Sequence, residues 1–152
     1  MLRLRPMLSM RLVEQPAPAG SRDVDQLVSW LLDTLEFVRR SGDDWTGEGV
    51  HSPIHRILCE YMLKKPGPGW DAQTLGDELG LSPTAIQYQL GKLNECGLTA
   101  AVNRDGWRVH HLRNGSLSNA VEMMANEARL VLEQRLRMLE GWMTESDLRM
   151  NI

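Results

Sequence analysis

The sequence predicts a mainly α-helical protein in which one short β-hairpin lies between a compact group of helices and a long C-terminal helix. Apolar residues recur at helical spacing through most of the chain, and capping residues precede several of these runs. The period then changes to two short extended runs, 98–102 and 107–112. Between them the turn sequence Asn-Arg-Asp-Gly at 103–106 predicts a hairpin.

Composition narrows the class of protein. The 152-residue chain has the usual length of one domain, with 42% hydrophobic and 24% charged residues. Its net charge of −3 does not by itself indicate a nucleic-acid binder, because affinity for DNA comes mainly from Lys and Arg. Cys59 and Cys96 form no Cys-x-x-Cys pair, and no apolar run is long enough to span a bilayer. We therefore expect a cytoplasmic protein with reduced thiols.

Gly, Pro and polar residues divide the chain into four parts. Residues 1–20 end in Gln-Pro-Ala-Pro-Ala-Gly and are predicted to form a flexible arm that adds nothing folded. Residues 21–41 carry apolar residues at alternating spacings of four and three, which predicts an N-terminal helix. Residues 52–114 hold the compact helices and the hairpin, and residues 115–145 form the long C-terminal helix.

The two outer helices each carry an apolar stripe that the small central part cannot cover. A repeat close to 3.5 residues is typical of helices that pair with one another. We therefore predict that both helices contribute to a homodimer interface. The residues assigned to this interface are Val24, Val28, Leu31, Leu35, Val131, Leu132 and Leu139.

The central part contains two short helices joined by a sharp turn. Asp71 is expected to cap the first helix, and Gly80 to end it in a left-handed conformation. Ser82 caps the second helix, with Pro83 in its first position. Three residues of this helix share one face and must point into the core: Ile86, Leu90 and Leu93.

This stretch resembles the winged helix-turn-helix of bacterial and archaeal transcriptional regulators. The resemblance covers residues 52–112, about two fifths of the chain. Gly76 stands where the family pattern has Ala, and Thr99 replaces an apolar residue, but neither difference is expected to disturb the fold. The residues that match the pattern in register are Leu75, Leu79, Gly80, Leu81, Ser82, Thr84, Ile86, Leu90, Leu93, Gly97 and Leu98.

The helices on both sides of this unit are similar to those of the arsenic-repressor-like (ArsR-like) family. In that family the first and last helices pack together to form a dimer. The resemblance therefore implies a dimeric regulator that binds double-stranded DNA.

The polar face of helix 82–95 is the predicted contact with DNA bases. Gln can pair bidentately with adenine in the major groove, while Thr and Tyr can bond bases or phosphate. We expect Gln87 and Tyr88 at base edges, and hairpin 98–112 as a two-stranded wing on the backbone. The full set of predicted DNA contacts is Ser82, Thr84, Gln87, Tyr88, Gln89, Lys92, Arg104 and Arg108.

The charge near this helix is basic although the whole chain is acidic. From Ser82 to Gly115 the chain holds four Lys or Arg, including Arg113, and two acids. So few basic residues predict only modest affinity of each protomer for DNA. Dimerisation would double the contacts and separate the two helices by about one turn of DNA.

Two further hypotheses remain for the same fold. A winged helix can serve as a protein-interaction module in a larger nucleic-acid complex. It can also be a metal- or thiol-responsive sensor, since His51, His55 and Cys59 recur every four residues and are ligand types for soft metals. Against this, Ser52 and Pro53 begin a helix only after His51, and Cys59 and Cys96 are each expected to be packing residues.

An enzyme is not predicted. The chain has no P-loop and no GxGxxG, GxSxG or HExxH motif. No catalytic residue, metal ligand or cofactor is assigned. A small-molecule effector stays open, and its suggested pocket lies between the Met-rich C-terminal helix and the region of Trp30 and Leu31. The operator and the direction of regulation stay open as well.

Overall fold

The computed structural model describes residues 8–18, 20, 23–35, 37 and 52–143. In these ranges the chain is mostly helical with one small antiparallel sheet, an arrangement compatible with a winged helix-turn-helix. No helix among the described residues is both long and apolar enough to cross a membrane. The elements are α1 (Val24–Thr34), α2 (Pro53–Arg56), a π-helical segment (Ile57–Leu63), β1 (Trp70–Asp71), α3 (Ala72–Leu79), α4 (Pro83–Cys96), β2 (Thr99–Arg104), β3 (Trp107–Leu112), a 3-10 turn (Arg113–Gly115) and α5 (Leu117–Trp142).

Local capping defines the ends of α3 and α4 at the positions that the sequence predicts. The Asp71 carboxylate accepts a hydrogen bond from the Thr74 backbone N–H at 2.9 Å. The Ser82 hydroxyl oxygen accepts one from the Ala85 backbone N–H at 3.2 Å. Gly97 ends α4 with a φ of 93°, a left-handed conformation that costs glycine little.

One apolar core fixes the orientation of α4. Its residues Ile86, Leu90 and Leu93 are all buried, as their spacing predicts. They belong to the same cluster as the buried faces of α2, the π-helical segment and α3. Other members of this cluster are Ile54, Ile57, Leu58, Tyr61, Met62, Leu75 and Leu98.

Helix α3 meets the turn before α4 at Gly76. A Cβ added at Gly76 would lie 2.6 Å from the carbonyl oxygen of Leu81, a distance that real Cβ atoms do not tolerate. The Leu81 backbone N–H also donates a 2.9 Å hydrogen bond to the Gly76 carbonyl. In this chain, therefore, glycine at position 76 is a packing requirement, whereas the sequence alone suggested only a harmless departure from Ala.

The sheet has three strands in the order β1-β3-β2, so the predicted two-stranded wing, β2 and β3, is joined by a further short strand. Trp70 pairs with His110 and Asp71 pairs with Val109, both antiparallel. Strand β1 contains only two residues, which is too short for an alternating pattern to be recognised. This strand attaches the base of the wing to the start of α3.

The hairpin itself is tighter than predicted. Strand β2 starts at Thr99 and continues to Arg104, so that only Asp105 and Gly106 form the turn. Both turn residues have positive φ, 50° and 83°, as a type I′ hairpin turn requires.

Helix α1 is shorter than the predicted helix over 21–41. Asp23 caps it by accepting a hydrogen bond from the Asp25 backbone N–H at 2.9 Å, and the helix ends at Thr34. The predicted ends of this helix, at residues 21 and 41, lie outside the described residues.

The N-terminal interface prediction changes because two of its residues belong to the protomer core. Val28 is 6% exposed and Leu35 is 4% exposed, so neither has much surface left for a partner. Leu31 is half-buried and Val24 is exposed. The seam-like spacing of this stripe therefore mainly reflects packing of α1 within the protomer.

The described part of the arm, residues 8–18, packs against the helices, unlike the free arm that the sequence predicts. The Val13 backbone N–H donates to the Thr34 carbonyl at 2.9 Å. The Trp30 indole N–H donates to the Gln15 carbonyl at 3.0 Å.

Helix α5 has a packed beginning and an exposed remainder. Ala120 and Met124 are buried against the core. From residue 129 to residue 142 every side chain is exposed. The large apolar residues exposed along α5 are Val121, Leu130, Val131, Leu132, Leu136, Met138, Leu139 and Trp142.

Replacing Gly76 with Ala is expected to lower the free energy of unfolding by about 1–3 kcal/mol, because the new methyl group must push the Leu81 carbonyl away. Gly91 in α4 is the matched control, since a Cβ there meets nothing within 4 Å. Gly91→Ala should instead raise the free energy of unfolding by about 0.5–1 kcal/mol through helix propensity. Urea denaturation measures both values, and stabilisation by Gly76→Ala would contradict the close approach.

Candidate nucleic-acid interface

The outer face of α4 is polar and accessible. Thr84 and Gln87 are exposed, and Tyr88 is 64% exposed although it is a large aromatic residue. Gln89 is half-buried at the margin of this face. The structure thus places Thr84, Gln87 and Tyr88 on the side of α4 opposite its buried apolar residues.

One basic side chain of α4 lies over an aromatic ring on the same face. The Lys92 ammonium nitrogen is 4.6 Å from the centroid of the Tyr88 ring. This cation–π contact holds a positive charge beside the outer face of the helix. The Ser82 hydroxyl, in contrast, is already engaged as the helix cap.

An open groove of about 530 Å³ separates α4 from the wing. Gln87 and Gly91 line its helix side, while Trp107 and Arg108 line its wing side. Trp107 is 58% exposed and was not among the residues predicted to contact DNA. An aromatic residue next to Arg at the start of the second wing strand was the available signal. Asp71 also lines the groove, so its charge is mixed rather than purely basic.

A chain of hydrogen bonds joins the end of α4 to both wing strands. The Thr99 hydroxyl donates to the side-chain carbonyl of Asn94, whose amide group donates to His110 Nδ1 at 3.2 Å. Burial lowers the pKa of His110 to about 4, with the nearby Arg108 and His111 charges adding to the effect. His110 is therefore neutral at pH 7 and can accept this hydrogen bond. Asn94 was missed from the sequence because its partners are remote along the chain.

The arginines of the wing differ in how accessible their charge is. Arg108 is exposed, and Arg104 is exposed but donates a 2.9 Å hydrogen bond to the Pro68 carbonyl. Arg113 forms a salt bridge with Glu127 of α5, and this bond raises the pKa of Arg113 while lowering that of Glu127. Its charge is therefore neutralised within the protomer. Of the four basic side chains near α4 and the wing, Lys92, Arg104 and Arg108 therefore provide the positive charge of this surface.

The two cysteines are free thiols in buried positions. Burial raises the pKa of both Cys59 and Cys96 to about 11, and the Asp25 carboxylate contributes at Cys59. Little thiolate is present at neutral pH, which disfavours fast thiol chemistry. Of the predicted metal-type residues, His55 and Cys59 are both buried, and His51 lies outside the described residues.

The chain matches no protein-family model and no curated protein. A solved structure, described as a possible transcriptional regulator from Methanosarcina mazei Go1, is similar to part of it. The two are 19% identical, the match covers 59% of this chain and 78% of the other, and the TM-score is 0.37. A similarity of this size does not assign a function, which must be argued from the geometry.

The buried neutral His110 predicts a loss of stability in acid. Its pKa is 6.5 when unfolded and about 4 when folded, so the unfolded chain binds the proton first as the pH falls. Its contribution to stability is therefore complete above pH 6.5 and is lost towards pH 4. Urea denaturation at pH 7 and pH 4.5 gives the free energies of unfolding of the wild type and of His110→Gln. We expect the difference between the two proteins, in favour of the wild type, to be smaller at pH 4.5 by about 2 kcal/mol. An unchanged difference would show that His110 titrates normally.

Proposed function

We propose that this protein is a homodimeric, DNA-binding transcriptional regulator of the winged helix-turn-helix class, similar to the ArsR-like family and acting in the cytoplasm. The observation that carries the proposal is the polar outer face of α4, where Gln87 and Tyr88 stand beside a groove walled by Trp107 and Arg108. No role as an enzyme is proposed.

In this proposal α4 is the recognition helix and enters the major groove. Gln87 offers the amide that pairs with adenine, and Tyr88 offers a ring and a hydroxyl near base edges. Thr84 contacts phosphate. The N-terminus of α4, which Ser82 caps, adds the positive end of the helix dipole, and this favours an anion.

The wing contacts the DNA backbone. Arg108 is exposed on β3, and Arg104 lies near the tip of the hairpin. Together with Lys92 they provide three cations per protomer. That number supports only modest affinity, so the proposal requires two protomers on one site.

The exposed stripe of α5 is the proposed dimer interface. Val131, Leu132 and Leu139 are all exposed in the protomer, and Leu136 lies between the two leucines on the same face. An exposed apolar stripe of this length is typical of a helix that pairs with another. On α1 only Val24 keeps an exposed apolar side chain from the predicted set, so the interface proposed here is centred on α5.

Loss of the Gln87 and Tyr88 side chains should remove sequence selectivity. Genomic DNA fragments are captured with the wild type and with the Gln87→Ala/Tyr88→Ala double variant, and the recovered sites are sequenced. We expect a defined set of sites for the wild type and loss of that set for the variant, since each base contact contributes about 1–3 kcal/mol of discrimination.

Two controls make this experiment specific. Gln134→Ala removes an exposed amide on α5 and should leave the recovered sites unchanged. Arg108→Ala should weaken binding to all sites and reduce the salt dependence by about one phosphate contact. Recovery of the same sites by wild type and double variant, or of none by either, would reject α4 as the recognition helix. A wild type that captures protein but no DNA would support a protein-interaction module.

Charge in the α5 stripe should dissociate the dimer. Leu132→Asp/Leu139→Asp is expected to sediment as a monomer where the wild type sediments as a dimer, because burying two carboxylates in an apolar seam is costly. Gln134→Asp introduces one carboxylate about half a helical turn round from Leu132 and should remain dimeric. Analytical ultracentrifugation distinguishes these results, and a dimeric double variant would place the interface elsewhere.

A further inference from the structure

Three metal-ligand side chains meet between α1 and the helix that follows Pro53, away from the proposed DNA interface. They are Asp25 from the first turn of α1, His55 from α2 and Cys59 from the π-helical segment. One donor atom from each residue lies within 4.8 Å of the other two. In the sequence, His55 and Cys59 are one helical turn apart, whereas Asp25 is 30 residues before His55.

One ring nitrogen of His55 is engaged by the backbone of α1, and the other is buried. Its Nε2 lies 2.8 Å from the backbone carbonyl oxygen of Asp25, so Nε2 carries the proton and donates it. The side chain is 1% exposed, and among the described residues its Nδ1 has no hydrogen-bond partner. A neutral imidazole with one N–H on a backbone carbonyl is the usual arrangement of a metal-bound histidine. A buried nitrogen without a partner otherwise costs stability.

Cys59 and Asp25 are already separated by nearly the distance that a shared ion needs. The Cys59 thiol donates a hydrogen bond to Asp25 Oδ1, with sulfur and oxygen 3.1 Å apart. In a tetrahedral zinc site the S–Zn and O–Zn bonds place these atoms roughly 3.5 Å apart. A small rotation of the Asp25 side chain, which is 38% exposed, would therefore admit an ion where the thiol proton now lies.

The charges around the cluster would balance a divalent ion. At present the Lys64 ammonium compensates Asp25, with its nitrogen 3.3 Å from Oδ1. On binding, the Cys59 proton passes to solvent, and one thiolate and one carboxylate together neutralise M²⁺. Lys64 is half exposed and can then move into water.

We propose that Asp25, His55 and Cys59 form a binding site for a thiophilic divalent cation of the Zn²⁺ class. A sulfur, a nitrogen and an oxygen donor suit zinc or cobalt and disfavour magnesium and calcium. Water completes the coordination on the side where Asp25 reaches solvent. The site is independent of the proposed DNA binding, because none of its three residues lies on α4 or the wing.

Such an ion would join α1 to the helix beneath it. Asp25 is fixed to α1, while Cys59 belongs to the apolar core that includes α4 and His55 is buried. Binding only to the folded chain then raises the melting temperature. At a hundredfold excess of metal over its Kd, we expect a rise of roughly 5–10 °C.

Cobalt provides the direct test because a Co²⁺–thiolate bond gives a charge-transfer band in the near ultraviolet. The full-length, metal-free chain is titrated with Co²⁺ and then with Zn²⁺, without DNA. We expect a band that saturates at one Co²⁺ per chain and disappears on addition of Zn²⁺. Absence of the band, or a band that does not saturate at one equivalent, would overturn the proposal.

Variants identify the ligands and separate them from structural effects. Asp25→Asn and Cys59→Ala should weaken Co²⁺ binding at least tenfold, and Cys59→Ala should lose the charge-transfer band, whereas Cys96→Ala should retain it. Lys64→Ala should strengthen binding severalfold, because it removes the cation that competes for Asp25. A purely structural role of this cluster predicts no such gain. Asp25 and Lys64 reach solvent, so these two variants remain informative if Cys59→Ala does not fold.

Discussion

The contact between Gly76 and the Leu81 carbonyl sets the geometry on which the rest of the structure depends. Because glycine leaves no side chain between α3 and the following turn, the Leu81 N–H can bond the Gly76 carbonyl and α4 begins directly against α3. The apolar residues of α4 then enter the core, and helical geometry turns its polar residues outward. The orientation of the candidate DNA-binding face therefore depends on the absence of a side chain at Gly76.

The wing is positioned relative to α4 by polar contacts rather than by apolar packing alone. The amide of Asn94 connects Thr99 on β2 with His110 on β3, and β1 ties the opposite edge of the sheet to α3. These bonds define the width of the groove between helix and wing. A histidine kept neutral by burial is suited to this position, because its lone pair stays available as an acceptor at neutral pH.

The helices, their caps and the hairpin could be predicted because the interactions that define them are local. The hydroxyl of Ser82, for example, bonds a backbone group only three residues away. The features that the sequence did not reveal join distant segments: the pairing of β1 with β3, the salt bridge of Arg113 with Glu127, and the approach of Asp25 to Cys59. Spacing along one helix suggested His51 as a companion of Cys59, but the nearby carboxylate comes from another helix.

The outer half of α5 is a part of the molecule whose side chains can change without affecting the folding of a single chain. Its side chains from residue 129 onward contribute almost nothing to the protomer core, and Trp142 is 90% exposed. Substitutions there carry little penalty for the stability of a single chain. Evolution could therefore change how copies associate in the proposed dimer, and at what distance, without altering the proposed recognition helix α4. After a gene duplication, a few surface substitutions on α5 could in this way stop the two gene products from associating with each other.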